Sequence, residues 1–168
     1  AEQPSESASV KRLGPSLDEH PELGESIASG DDPVATRASV ETVKGWLNML
    51  SEREREIAVC IITSRFHAAY PTNAHERAAK AAGLPPNTVE AILSGLPTSF
   101  SDTREQVVYE MATCLANARW VAKGLYDRAV ETLGHVGITD VITLMGFYTS
   151  VSMTLAFYDV PAGAPGME

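Results

Sequence analysis

Basic clusters, metal-ligand spacings and redox cysteine pairs are all missing from this 168-residue chain, and each absence removes a class of function. Thirteen Lys and Arg stand against 22 Asp and Glu, a formal net charge of −9, and no basic stripe exists to neutralise phosphates, so no nucleic-acid partner is expected. The four histidines (His20, His67, His75 and His135) never fall at HxH or HxxxH spacing, so no metal site is expected. Cys60 and Cys114 are isolated thiols within helical patterns, expected to be reduced core residues. Neither a Gly-rich phosphate loop nor a Gly-x-Ser-x-Gly elbow occurs. The chemistry expected is that of side chains alone, without a cofactor.

The negative charge is uneven. Residues 1–35 carry eight acids and two bases, a net of −6, which leaves −3 for the rest of the chain. We divide the sequence into an acidic tail and arm (1–35), a helical domain (36–163) and a short C-terminal tail (164–168). Residues 1–12 are too poor in large apolar side chains to offset chain entropy. Residues 13–35, with three prolines, read as an arm that orders on docking and holds a short helix near 21–29; His20 lies in it as a solvated loop histidine. The opening AEQPSESASV has neither a basic n-region nor an apolar h-region, and the expected location is the cytoplasm.

An all-α fold follows from the periodicity. Val40, Val43, Trp46, Leu47 and Leu50 give an apolar stripe over a helix at 36–49. Ser51 with Glu54 forms a capping box that opens the next helix, and Ile57–Ile62 is apolar on every side, as in a buried central helix. That helix is expected over 51–69, with Pro71 opening a second over 71–83 that Gly83 caps. A short helix follows from Pro85-Pro86-Asn87 to Leu93. Ser101 is the expected cap of a helix at 102–118, with Trp120 and Val121 as an anchor behind it. A helix at 123–133 closes at Gly134, and Thr139-Asp140 caps the last one. Its Val141–Tyr158 stretch has no charge, but its Ser and Thr content and acidic flanks argue against a membrane span; burial by the domain and a second subunit is expected.

Three segments together resemble a known family: LSEREREIAV, the alanine-rich AAYPTNAHERAAKAAGL, and VITLMGFYTSVSMTLAFYDVP. They resemble the carboxymuconolactone decarboxylase and alkyl-hydroperoxidase D-like superfamily, over residues 45–163. The resemblance implies an AhpD-like helical domain with a central antiparallel helix pair, assembled as a homo-oligomer (trimer or hexamer). It also implies a Glu at the start of the central helix facing a His on the next; Glu56 and His75 occupy those positions. The redox members' Cys-x-x-Cys is replaced here by Ala68, Ala69, Tyr70 and Pro71, which removes thiol peroxidase chemistry. Of the Glu-Tyr-x-Trp found in decarboxylase-like members only Tyr70 is kept, with Ala69 and Thr72 in place of the Glu and Trp.

The resemblance therefore implies a cofactor-independent lyase acting on a small carboxylate or lactone, with Glu56 and His75 as its catalytic pair. The same apparatus would serve an isomerase, dehydratase or cyclase, and a non-catalytic oligomer that binds a small apolar ligand is the alternative. Helical geometry places Glu56, Cys60 and His67 within about 40° on one face, and sets His75 on an alanine stripe away from the charges. The bland readings are a Glu56 that favours the helix dipole or pairs with Arg53, and a His75 bonded to a backbone carbonyl. His67 and Tyr70 flank the inter-helix turn and are candidate substrate contacts. His135, in Gly-His-Val-Gly, is a third such candidate, reaching a site across a subunit interface.

Overall fold

One helix touches all the others. The computed structural model describes residues 49–163, and among these the chain is all-α: α1 Glu52–Arg65, α2 Ala69–Ala81, α3 Pro86–Leu93, α4 Thr103–Ala116 and α5 Lys123–Phe157. α1 packs against each of the other four. Every residue from Ile57 to Thr63 is buried, which is the consequence of an apolar run with no side meant for water. Each isoleucine or valine so placed contributes about 1.5–3 kcal/mol of burial. The expected helices at 21–29 and 36–49 and the residues around His20 lie outside the described residues.

The Ser51 capping box forms as the sequence predicts. Ser51 Oγ accepts from the Glu54 amide at 3.2 Å, and the Ser51 amide donates to Glu54 Oε2 at 2.9 Å. The helix ends sooner than expected, at Arg65 rather than 69, because Phe66 caps it and His67 adopts a left-handed φ of 50°. α2 then begins at Ala69, so Pro71 falls inside its first turn, where its missing N–H leaves no bond unmade. Arg53 reaches Gly83, Glu56 reaches His75 and Cys60 reaches His75, so α1 and α2 run antiparallel. Gly83, at φ 88°, closes α2 where any side chain would be strained.

The last two helices differ from expectation in three places. Asp102, not Ser101, caps α4, accepting from the Arg104 amide at 2.8 Å and the Glu105 amide at 3.0 Å. Trp120 is 92% exposed, so it is no anchor among the described residues. Gly134 (φ 66°, ψ 172°) does break the chain direction, but residues 135–157 follow at once as helix, so Thr139 and Asp140 lie inside α5 and cap nothing. Thr139 Oγ1 bonds back to the His135 carbonyl at 2.8 Å instead. Asp140 is buried with one carboxylate oxygen unpartnered.

α5 is long and apolar enough to cross a membrane by length and composition alone. It packs Val141, Leu144 and Met145 into the core shared with α1 and α4, and leaves Val136, Ile142, Met153 and Phe157 exposed on its other side.

Candidate functional site

Two arginine–carboxylate pairs set the register between α1 and α4. Arg53 binds both oxygens of Glu105, with Nε–Oε1 at 2.5 Å and Nη2–Oε2 at 2.9 Å. Arg104 Nε donates to Glu54 Oε1 at 2.8 Å, and its other nitrogens bond the carbonyls of Thr132 and Met49. The sequence Arg53-Glu54 thus meets Arg104-Glu105 reciprocally. Glu54 serves the capping box and the ion pair together, which explains why a carboxylate only 4% exposed is tolerated.

These pairs consume the arginine that could have neutralised Glu56. Glu56 instead meets His75, whose Nδ1 lies 2.8 Å from Glu56 Oε2 with both side chains mostly shielded from solvent. Against an ionised carboxylate Nδ1–H is the donor, which leaves Nε2 to act as base or, once protonated, as acid. No other described residue shares the bond. The Cys60 thiol donates to the His75 carbonyl at 3.6 Å, helping to fasten the backbone beneath the ring. Burial first, and then the Glu56 and Glu76 charges, push the Cys60 pKa up to about 12, so this thiol is not a nucleophile near neutrality.

Tyr148 completes the arrangement, and sequence reasoning assigned it no role. Its ring meets His75 edge-on, with centroids 4.7 Å apart and an interplanar angle of 88°. Burial, reinforced by Glu56 and opposed by Arg55, raises its phenol well above the usual range, so the group stays protonated and able to donate. The available signal was its place in the uncharged Val141–Tyr158 stretch, within the last family-like segment. Knowing that it faces His75 requires the packing of α5 on α2.

The three candidate substrate contacts are not gathered around this pair. His67 follows the end of α1 instead of continuing the Glu56 face, and it is exposed beside cavities lined neither by Glu56 nor by His75. Tyr70 packs with Leu155 and Val160, and burial, partly offset by Arg77, raises its phenol. His135 is exposed just beyond the Gly134 break. Cys114, expected in the core, is only half-buried, with its thiol near the carbonyls of Arg119 and Trp120. Among the described residues no group of three or more His, Cys, Asp or Glu is placed to hold a metal ion.

No family model, curated protein or solved structure matches the chain.

Proposed function

We propose that Glu56 and His75 form the acid–base relay of a cofactor-independent lyase resembling carboxymuconolactone decarboxylase. The observation that carries this reading is the 2.8 Å contact between the imidazole and the carboxylate, with no arginine ion-paired to that carboxylate among the described residues and a neutral phenol beside the ring. Loss of CO2 from a lactone acid sends the C–C bonding electrons into a conjugated carbonyl. The site must then stabilise an enolate oxygen and return one proton to carbon. In this reading Tyr148 O–H donates a hydrogen bond to the enolate oxygen, His75 Nε2 delivers the proton, and Glu56 holds the imidazole and helps it reload from solvent. The AhpD-like arrangement, a cytoplasmic location and assembly into a homo-oligomer through the exposed apolar side of α5 belong to the same proposal.

The test is to incubate the protein with small lactone and conjugated carboxylates in deuterated water. Carbon dioxide release with one deuterium incorporated, lost in His75→Ala, supports the lyase. Deuterium exchange without CO2 points to a proton-shifting isomerase using the same pair. A substrate bound but returned unchanged, with neither CO2 nor exchange, leaves the non-catalytic binder.

A further inference from the structure

Lined by residues of α1, α3 and α4 there is a concavity separate from the acid–base pair. A cavity of about 290 Å³ is floored by Ile61, Ile92 and Tyr109 and rimmed by Arg65, His67 and Leu96. Arg65 puts a positive charge on its rim and no carboxylate lines it, in a chain whose formal charge is −9. Among the described residues no acid pairs with Arg65. Leu96 is 59% exposed at the mouth, so among the described residues the apolar surface continues outward.

The backbone at His67 is a separate observation. A non-glycine residue at φ 50° is an uncommon conformation that costs free energy, and here it turns the chain between α1 and α2 beside the cavity. Glycine would hold that turn without strain. An imidazole kept at such a position, next to an arginine that pairs with no acid among the described residues, sets two N–H-bearing side chains over an apolar floor.

We propose that this cavity binds a small amphipathic carboxylate, its head on Arg65 and His67 and its apolar body against Ile61, Ile92 and Leu96. A carboxylate suits an arginine fork, and the pocket's size admits a short alkyl or aryl chain. Along α1 nine residues separate Glu56 from Arg65, about 13 Å at the helical rise, and the cavity is lined by neither Glu56 nor His75, so it is a different site from the relay and does not depend on it.

Hexanoate is a suitable probe, with hexanol and hexylamine as neutral and cationic matches, followed on the full chain by amide NMR shifts. Hexanoate is expected to move the amides of residues 64–68 and 94–96, and to bind at least about tenfold more tightly than either match. Arg65→Gln and His67→Gly should each weaken it by about tenfold or more while leaving the melting temperature close to the parent's, since both side chains are exposed and glycine suits the φ. Glu56→Gln should leave hexanoate binding unchanged. The proposal is overturned if hexanoate at millimolar concentration moves no amide in those segments, if hexanol binds as well as hexanoate, or if Glu56→Gln abolishes binding, which would place the ligand at the relay.

Discussion

Glu54 and Glu56 lie two residues apart on one helix and have opposite fates. Glu54 takes Arg104 and the Ser51 amide and is locked on the α4 side; Glu56 takes only His75 on the α2 side. An arginine does not give up its proton, so the first pair can only hold helices together. A histidine exchanges its proton near neutral pH, so the second pair can also move one. Position along the helix decides this: about 200° of rotation separates the two side chains, and Arg104 meets α1 on the Glu54 side.

Breaking the locked pair should have the largest effect. Arg104→Ala strips Glu54 of its counter-charge and frees the carbonyls of Thr132 and Met49. With Arg104 itself partly exposed, we expect a loss of about 3 kcal/mol, at the low end for a broken buried pair, read as a fall in the urea midpoint. Arg104→Lys should recover only part of it, because an ammonium cannot reproduce the fork.

Breaking the mobile pair should act on turnover and spare the fold. His75→Ala should lower turnover by about a hundredfold or more, which is about 2.7 kcal/mol, with a melting temperature near the parent's. Glu56→Gln should behave alike. If both variants unfold instead, the two groups are structural and the contrast with Glu54 collapses.

Gly134 tests the framework that carries Tyr148. At φ 66°, ψ 172° the backbone lies in a region open essentially to glycine, so Gly134→Ala should cost about 1–3 kcal/mol in thermal or denaturant unfolding, although nothing crowds the new methyl. No change in the denaturant midpoint would show that the α5 break relaxes freely.

At neutral pH the smallest effect is that of the buried thiol and phenol, which act on stability only in alkali. The folded chain keeps the Cys60 thiol neutral up to about pH 12 and the Tyr148 phenol neutral beyond its ordinary range, whereas the unfolded thiol ionises near 9.0 and the unfolded phenol near 10.0. Above pH 9 the unfolded state therefore binds fewer protons, and stability falls as pH rises, by up to about 1.4 kcal/mol per unit for each group. Cys60→Ala should flatten the fall between pH 9 and 12 in denaturant midpoints and leave the values at pH 7–8 with only a packing change. An unaltered slope would mean the thiol titrates normally in the folded chain.

Much of this architecture was legible locally. The Ser51–Glu54 box, the buried Ile57–Ile62 run, the glycine at the end of α2 and the short Pro86–Leu93 helix each depend on residues within a few positions of one another. Local signals misled where two candidates competed. Ser101 and Asp102 can both cap, and the carboxylate, which accepts from two amides, prevailed. Thr139-Asp140 reads as a start, yet the helix had already resumed after Gly134. Proline at 71 suggested the boundary, while the turn itself formed four residues earlier at His67.

By itself the sequence determined that the chain is helical and that Glu56 and His75 stand on successive helices, because caps, periodicity and proline chemistry act over one or two turns. Tertiary structure alone decided which of α1's carboxylates met arginine, that Tyr148 lies against the imidazole, and that His67 lines a cavity away from the pair. Those outcomes rest on contacts between residues as much as 73 positions apart, as between His75 and Tyr148, and such contacts are set by how whole helix faces pack rather than by any local pattern.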